Sequence, residues 1–245
     1  MRILGIDTAI PAASVALIED GKLFAEEARS KALNRLHGKP PGNHAEVILP
    51  LIDSLFEKAG ITVSQLSGIA VSIGPGSFTG LRIGLATAKG LAYESALPLV
   101  GVSTLPANAA RVNHLEAVVG SMLDARKGEV FFALFRRSQN LLTRITCDAM
   151  MSIHSAIDLV QNNQGNPGSA LILIGEGAQA HKRQLIDSLG SSAQISDGPC
   201  HPSVAAQVGM LAVERFVSGS GDDVGALTPV YLRLSEAESK RKNLR

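Results

Sequence analysis

The sequence predicts an α/β protein made of two lobes, each with the element order βββαβα. The prediction depends mainly on one repeated pattern. A buried strand that ends in an aspartate and then turns back into a second strand occurs at Asp7 and again at Asp124. In both places a third strand and then alternating helices and strands follow. An ordinary doubly wound fold does not begin with three consecutive strands joined by a hairpin.

The first lobe is expected to span residues 1–113. It opens with the apolar strand Arg2–Asp7, which turns over Ala9–Ala13 into the strand Ser14–Glu19. Asp20-Gly21 is a typical hairpin turn, so Leu23–Ser30 is predicted as the third strand. The polar segment 31–42 has no periodicity and is expected to be a solvated loop.

A helix is predicted from Asn43, a candidate N-cap, to about Ala59, just before Gly60. Apolar residues at helical spacing form its expected buried stripe: Ile48, Leu51, Ile52, Leu55 and Phe56. Val47, Leu49 and Pro50 fall off that stripe, and Pro50 is expected to kink or restart the helix. A helix with apolar residues on a second face needs a second neighbour.

The strand Ile69–Ile73, the turn Gly74–Ser77 and a helix that begins at Phe78 or Thr79 form the most distinctive stretch of the chain. Its glycines miss the spacing of both the dinucleotide fingerprint and the P-loop. Gly80 and Gly84 share one face of the predicted helix, which costs stability unless another element approaches closely. That element is either the protein's own sheet or a helix of another subunit.

The second lobe is expected to span residues 114–235, followed by a flexible charged tail at 236–245. Its predicted elements repeat the order of the first lobe: strands Glu116–Leu123, Val130–Phe135 and Leu141–Cys147, helix Ile153–Asn162, strand Ala170–Ile174, and helices Ala178–Leu189 and Pro202–Val217. This duplication fits the actin-like ATPase (ASKHA, ribonuclease H-like) fold. In that fold the acid at the strand tip faces the metal of the nucleotide, so Asp7, Thr8 and Asp124 are candidate nucleotide-binding residues, although an Asp after a strand is also a common turn former.

The net charge, the histidine and cysteine patterns and the lengths of the apolar runs exclude several classes of function. The chain has 245 residues, is 45% hydrophobic and has a net charge of +1, so it lacks the basic excess that is typical of nucleic-acid binding. Neither an HExxH nor an HxxxH pair occurs among the six histidines, and the two cysteines fit no metal pattern, so no metal site and no cofactor of its own are expected. No apolar run is long enough for a membrane span, and the chain is expected to be cytoplasmic.

Several motifs resemble the TsaB (YeaZ) family: Gly5–Thr8, His44–Glu46 with Leu49-Pro50, Gly74–Gly84, Ala88–Ala92, Gly101–Leu105 and Asp124–Glu129. Members of this family are the bacterial subunit of the machinery that makes threonylcarbamoyladenosine next to the tRNA anticodon. The resemblance implies an actin-like fold and a non-catalytic role beside the catalytic paralogue TsaD, whose HxxxH pair this chain lacks, with the ATPase TsaE joining them. It also implies that the lone chain pairs with itself, and ATP or ADP is a candidate ligand at the complex interface. The net charge of +1 predicts that tRNA is held mainly by the partner, so that this chain contacts tRNA indirectly through the complex.

The resemblance places the partner interface on the helix that starts near His44 and on the helix after Gly76. The expected contact residues are His44, Glu46, Val47, Leu49, Pro50, Gly76, Ser77, Phe78, Thr79, Gly80, Arg82, Ile83, Gly84 and Thr87. If Gly80 and Gly84 admit a partner helix, Gly84→Leu abolishes TsaD binding and leaves the monomer folded. Two rival functions remain open: an actin-like phosphotransferase or ATPase that uses Asp7 and Asp124, and a metallopeptidase.

Overall fold

The structure is a computed structural model that describes residues 1–29, 44–139, 141–163, 169–190, 193–196 and 203–233. The chain forms two compact units, Met1–Asn113 with Pro199–Pro229, and His114–Gly198 with Val230–Arg245. The expectations for the loop 31–42, for Asn43 as a cap and for the tail 236–245 lie outside the described residues. No helix in the described ranges is long and apolar enough to cross a membrane.

The first unit is built on a five-stranded sheet in the order β3-β2-β1-β4-β5. β1 pairs with β2 in antiparallel fashion and with β4 in parallel fashion, and β4 pairs in parallel with β5. The strands are β1 Arg2–Asp7, β2 Ala13–Glu19, β3 Lys22–Arg29, β4 Gly68–Gly74 and β5 Leu99–Ser103. The hairpin and the glycine-rich strand are therefore where the sequence predicts them.

Helices cover both faces of this sheet: α1 His44–Ala59, α2 Phe78–Glu94, α3 Thr104–Ala110 and α7 Val204–Val217. Successive residues of a strand point to opposite faces. Leu4 and Ile6 of β1 accordingly pack in one apolar cluster with α1 and α2, whereas Ile3 packs in another with α7. The central strand β1 is buried on both sides, which explains its continuous apolar run.

The last helix, α7, belongs to the first unit. The sequence prediction placed residues 114–235 together in the second lobe, but Val204, Ala205 and Val208 of α7 join the cluster on β1 and β5. The chain thus returns to its first sheet after the second unit. The apolar pattern of a helix is the same whichever of two sheets it packs against. The sequence pattern alone therefore could not show that α7 belongs to the first unit.

The second unit has a six-stranded sheet in the order β11-β10-β6-β7-β8, with β9 also paired to β7. Its strands are β6 Glu116–Arg126, β7 Glu129–Ser138, β8 Leu141–Arg144, β9 Ala149–Ser152, β10 Ala170–Ile174 and β11 Ala193–Ser196. Its helices are α4 Ile153–Asn162, α5 Glu176–Ala180 and α6 Lys182–Leu189. The short strands β9 and β11 were not predicted, and the expected helix Ala178–Leu189 is two helices that meet at His181.

The two sheets start in the same way. β6 pairs with β7 in antiparallel fashion and with β10 in parallel fashion, as β1 does with β2 and β4. The duplicated actin-like fold predicted from the sequence is therefore confirmed. Each unit opens with a strand–acid–turn–strand segment, and the first of these segments lies against the helices that carry the candidate site.

Candidate partner-binding face and the turn beneath it

The turn that joins β1 to β2 fills the groove left by the glycines of α2. A Cβ atom added at Gly80 would lie 2.0 Å from the carbonyl oxygen of Thr8, and one added at Gly84 would lie 2.2 Å from Thr8 Oγ1. Both distances are far inside van der Waals contact. The interpretation that these glycines admit a helix of another subunit is therefore wrong, and the protein's own turn occupies the space.

The same turn is hydrogen-bonded to α2. Thr8 Oγ1 donates to the Gly80 carbonyl oxygen at 2.7 Å, and the Ser77 N–H donates to the Ala9 carbonyl oxygen at 2.7 Å. Ser77 also caps the helix, because its Oγ accepts from the Gly80 N–H at 3.2 Å. A Gly84→Leu change would consequently disrupt the monomer itself, contrary to the expectation that the monomer would stay folded.

The fourteen predicted contact residues differ in exposure. Six are exposed at the surface: Glu46, Leu49, Pro50, Ser77, Thr79 and Arg82. Five are partly exposed: His44, Gly76, Phe78, Ile83 and Thr87. Three are buried: Val47, Gly80 and Gly84. The last three cannot meet a partner side chain in this conformation, and the other eleven keep their predicted role as candidates.

Val47 is buried because it lies four residues before Leu51, which places both on the same side of α1. It is 5% exposed and joins the core cluster under that helix. The exposed stripe of α1 is instead formed by Glu46, Leu49, Pro50 and Asp53, which repeat at three- and four-residue steps. Pro50 lies inside one continuous helix, and no restart is present.

The exposed stripe of α2 extends further than the sequence prediction. It runs through Thr79, Arg82, Ala86, Gly90 and Tyr93. Tyr93 is 84% exposed, and a Cβ added at Gly90 would meet nothing within 4 Å. The glycine that offers open space to a neighbour is therefore Gly90. Gly90 lies four residues after Ala86, so helical spacing alone places both on one side of α2.

We call the two exposed stripes together the α1–α2 face, defined by Glu46, Leu49, Pro50 and Asp53 of α1 and by Thr79, Arg82, Ala86, Gly90 and Tyr93 of α2. One of its polar groups, the Arg82 guanidinium, is stacked on an aromatic ring. The guanidinium carbon of Arg82 lies 3.9 Å from the centre of the Phe78 ring, one helical turn earlier. Such cation–π stacking holds a long side chain in one orientation before a partner arrives.

Asp7 lies below the turn and is not exposed at all. Its Oδ1 accepts hydrogen bonds from Ser72 Oγ at 2.5 Å and from the Ala9 N–H at 3.2 Å. Its Oδ2 has no hydrogen-bond partner in the described part of the chain. Burial raises the pKa of this carboxyl from its ordinary value of 3.8 to about 6, and the hydrogen bond from Ser72 acts in the opposite direction.

Asp124 is placed differently. It is exposed, and its Oδ1 accepts the N–H of Arg126 at 2.7 Å. Thr8, the third candidate for nucleotide binding, is buried. The nucleotide role of these three residues stays a prediction, and it requires that the turn first uncover Asp7 and Thr8.

The chain resembles known proteins over nearly its whole length. The family model described as TsaD, tRNA N6-adenosine threonylcarbamoyltransferase, matches residues 39–232. The tRNA threonylcarbamoyladenosine biosynthesis protein TsaB of Escherichia coli is 33% identical, with 98% of each chain covered. The TsaB protein of Bacillus subtilis is 29% identical, with 98% of this chain and 97% of its own covered.

Two solved structures of similar proteins superpose on the chain over most of its length. YeaZ from Pseudomonas aeruginosa superposes with a TM-score of 0.71 at 25% identity, over 94% of this chain and 99% of the other. A second solved structure, titled as an uncharacterised protein similar to the peptidase YeaZ from the same organism, gives a TM-score of 0.73 at 25% identity, over 95% of this chain and 99% of the other. The chain therefore belongs to the TsaB (YeaZ) family, whose curated members are tRNA threonylcarbamoyladenosine biosynthesis proteins.

Proposed function

We propose that the chain is the non-catalytic subunit of the complex that forms threonylcarbamoyladenosine next to the tRNA anticodon, and that it binds the catalytic subunit TsaD with the α1–α2 face. The E. coli and B. subtilis relatives are tRNA threonylcarbamoyladenosine biosynthesis proteins, which supports a role in that pathway. The match to a family model described as TsaD supports a partner of related fold. The exposure of the α1–α2 face is the observation that carries the partner-binding role.

Apolar and aromatic side chains stand uncovered on this face. Leu49 is 51% exposed and Tyr93 is 84% exposed, while Ala86 and Gly90 leave a shallow strip on α2. Interface hot spots are enriched in Tyr and Arg that fit into well-packed pockets of the partner. Tyr93 and the ordered Arg82 are the two residues of this kind on the face.

Charge on the face indicates what the partner presents. The acidic residues Glu46 and Asp53 are exposed on α1, whereas the basic residue Arg82 is exposed on α2. Complementary potentials give an interface its specificity and register. We therefore expect basic side chains of TsaD opposite α1 and an acidic side chain or carbonyl oxygens opposite Arg82.

We also propose where the catalytic chemistry, TsaE, tRNA and the nucleotide belong in the complex. Asp7, Thr8 and Ser72, the polar side chains in the turn and beneath it, are all buried, so we assign the transfer chemistry to TsaD. TsaE then binds to the pair, tRNA is held through the complex, and ATP or ADP binds at the complex interface. The lone chain, which we place in the cytoplasm, pairs with itself through the same α1–α2 face.

Co-purification with TsaD of the same organism, followed by a threonylcarbamoyl-transfer assay with and without the chain, tests the proposal. The variants Leu49→Asp and Tyr93→Asp should each weaken the association at least about tenfold, the size of a modest hot spot. Leu115→Asp is the matched control, because Leu115 is 74% exposed in the second unit. Equal binding by all three variants, or transfer that does not require the chain, would contradict the proposal.

A further inference from the structure

We infer that Thr8 is a positioning residue: through the turn Thr8–Pro11 it fixes α1 and α2 relative to each other and thereby sets the affinity of the α1–α2 face for its partner. The inference depends on the proposed function for its partner, but its structural basis is independent of that function. It gives the Asp7-Thr8 motif a role in assembly, in place of the contact with a nucleotide that the fold suggests.

The turn is tied to the start of α2 by side chain and backbone together. Thr8 donates its hydroxyl proton to the Gly80 carbonyl oxygen at 2.7 Å, while Ala9 accepts the Ser77 N–H at 2.7 Å. The glycines beneath leave no spare room, because Cβ atoms at Gly76 and Gly80 would lie 2.4 Å and 2.0 Å from the carbonyl oxygens of Ala9 and Thr8. The first turns of α2 are therefore set by the position of Thr8 and Ala9.

The same turn also meets the start of α1. Nε2 of His44, the first residue of that helix, lies 3.4 Å from the Pro11 carbonyl oxygen. The other ring nitrogen, Nδ1, lies 2.9 Å from the place of a Gly80 Cβ. One segment of four residues thus contacts the first residues of both helices whose exposed stripes form the face.

The base of the turn is anchored in the sheet. Asp7 ends β1 and accepts hydrogen bonds from Ser72 of β4 and from Ala9. Thr8 is completely buried and Ala9 is 2% exposed, so neither can touch a partner directly. The Thr8 side chain can therefore affect partner binding only indirectly, by positioning the turn and the two helices that contact it.

A shift of either helix changes the face as a whole. Leu49 lies on α1 while Arg82 and Tyr93 lie on α2, so their mutual spacing depends on how the two helices are held. Interface cores are packed as tightly as protein interiors, and a small displacement costs contacts across the whole patch. Removing the Thr8 hydroxyl leaves the exposed side chains unchanged and alters only their placement.

Three variants test this. Thr8→Val keeps the shape and loses the donor, Thr8→Ser keeps the donor, and Ile3→Val weakens the core on the opposite face of the sheet, against α7. We expect Thr8→Val to bind TsaD about tenfold more weakly and Thr8→Ser to bind like the parent. Ile3→Val should lose a comparable amount of stability with no loss of affinity. Unchanged affinity in Thr8→Val, or equal weakening by Ile3→Val, would overturn the inference.

A second measurement needs no partner. Spin labels on the exposed residues Asp53 of α1 and Ala86 of α2, introduced as Asp53→Cys and Ala86→Cys after replacing Cys147 and Cys200 by serine, report the distance between the helices. The distribution should broaden or shift in Thr8→Val and return in Thr8→Ser. An unchanged distribution in Thr8→Val overturns the inference. If the parent chain fails to bind TsaD while Thr8→Val still moves the helices, the proposed function fails and the positioning role of Thr8 stands.

Discussion

The two strand–acid–turn–strand segments share their local chemistry and differ in their surroundings. In each, the aspartate Oδ1 accepts the N–H two residues along the chain, at 3.2 Å for Asp7 and 2.7 Å for Asp124. The first turn packs Thr8 and Ala9 into the glycine groove of α2, whereas the second carries the exposed residues Arg126 and Lys127. A turn motif therefore sets a local backbone shape, and the packing around it decides whether it becomes structural support or surface.

The largest difference between the turns should come from adding a single methyl group. Gly80→Ala forces a Cβ to within 2.0 Å of the Thr8 backbone, which cannot move without displacing the turn, so we expect a loss of about 3 kcal/mol. Gly128→Ala in the second turn meets nothing within 4 Å and has only the cost of a positive φ of 75°, about 1 kcal/mol. Urea unfolding of both variants measures the contrast. Equal losses would show that the groove does not hold the first turn.

The two aspartates should respond differently to the loss of their charge, because Asp7 is buried and Asp124 is exposed. The folded pKa of Asp7 is raised to about 6, so its destabilising effect is absent below pH 3.8, grows as pH rises through the interval between the two values, and is complete above about 6. We expect Asp7→Asn to raise the free energy of unfolding by up to about 3 kcal/mol at pH 7.5. The gain should shrink towards pH 4.

Asp124→Asn is the control for that series. Its carboxylate is exposed, so a change in the free energy of unfolding within about 0.5 kcal/mol is expected at pH 7.5. Unfolding curves at pH 4, 5, 6 and 7.5 distinguish the two. A gain in Asp7→Asn that is constant with pH would mean that the buried carboxyl does not titrate in this range.

The second turn has its own support, the side chain of Arg233. The guanidinium donates to the Ala125 carbonyl oxygen and, at 2.6 Å, to Glu129 Oε2. About a third of each side chain is exposed, so we discount the ion pair for solvent screening and expect Arg233→Ala to cost about 1 kcal/mol. Arg183→Ala is the control, because Arg183 is 97% exposed and its contact with Asp187 is 3.9 Å long. Similar melting temperatures in the two variants would show that the Arg233 side chain does not stabilise the second turn.

The smallest effect concerns backbone strain in the second turn. Arg126 and Lys127 adopt positive φ values of 64° and 57°, a region where Asn and Gly are favoured. Lys127→Asn should therefore raise the unfolding free energy by about 0.5 kcal/mol. Differential scanning calorimetry can detect the accompanying rise in melting temperature. A fall would indicate that the Lys127 side chain makes a stabilising contact in solution.

Local patterns predicted most elements of the fold. The helix Ile153–Asn162 and the strand Ala170–Ile174 have the predicted bounds. The helix has a clear apolar period, and the strand is an uninterrupted apolar run that is followed by glycine. The strands β9 and β11 have four residues each, which is too short for a periodicity to be visible. The unit to which α7 belongs depends on contacts between residues about two hundred positions apart.

The candidate site was only partly predictable. The spacing of Gly80 and Gly84 indicates that something approaches α2 closely, but a missing side chain does not state what fills its place. Thr8 fills it, and its small, polar side chain at a strand end is equally typical of a turn or a nucleotide site. The resemblance named Arg82, and helical spacing from Arg82 through Ala86 could have added Gly90 and Tyr93 to the same exposed stripe.

The late return of α7 to the first sheet has a consequence for synthesis on the ribosome. Ile3, Ile18 and Val100 stay uncovered on one side until the helix ending at Val217 has left the exit tunnel. At ordinary translation rates the interval after residue 113 is on the order of ten seconds. During that interval the nascent chain exposes a sheet of the kind that holdase chaperones bind, and a premature stop anywhere before α7 would release it in that state.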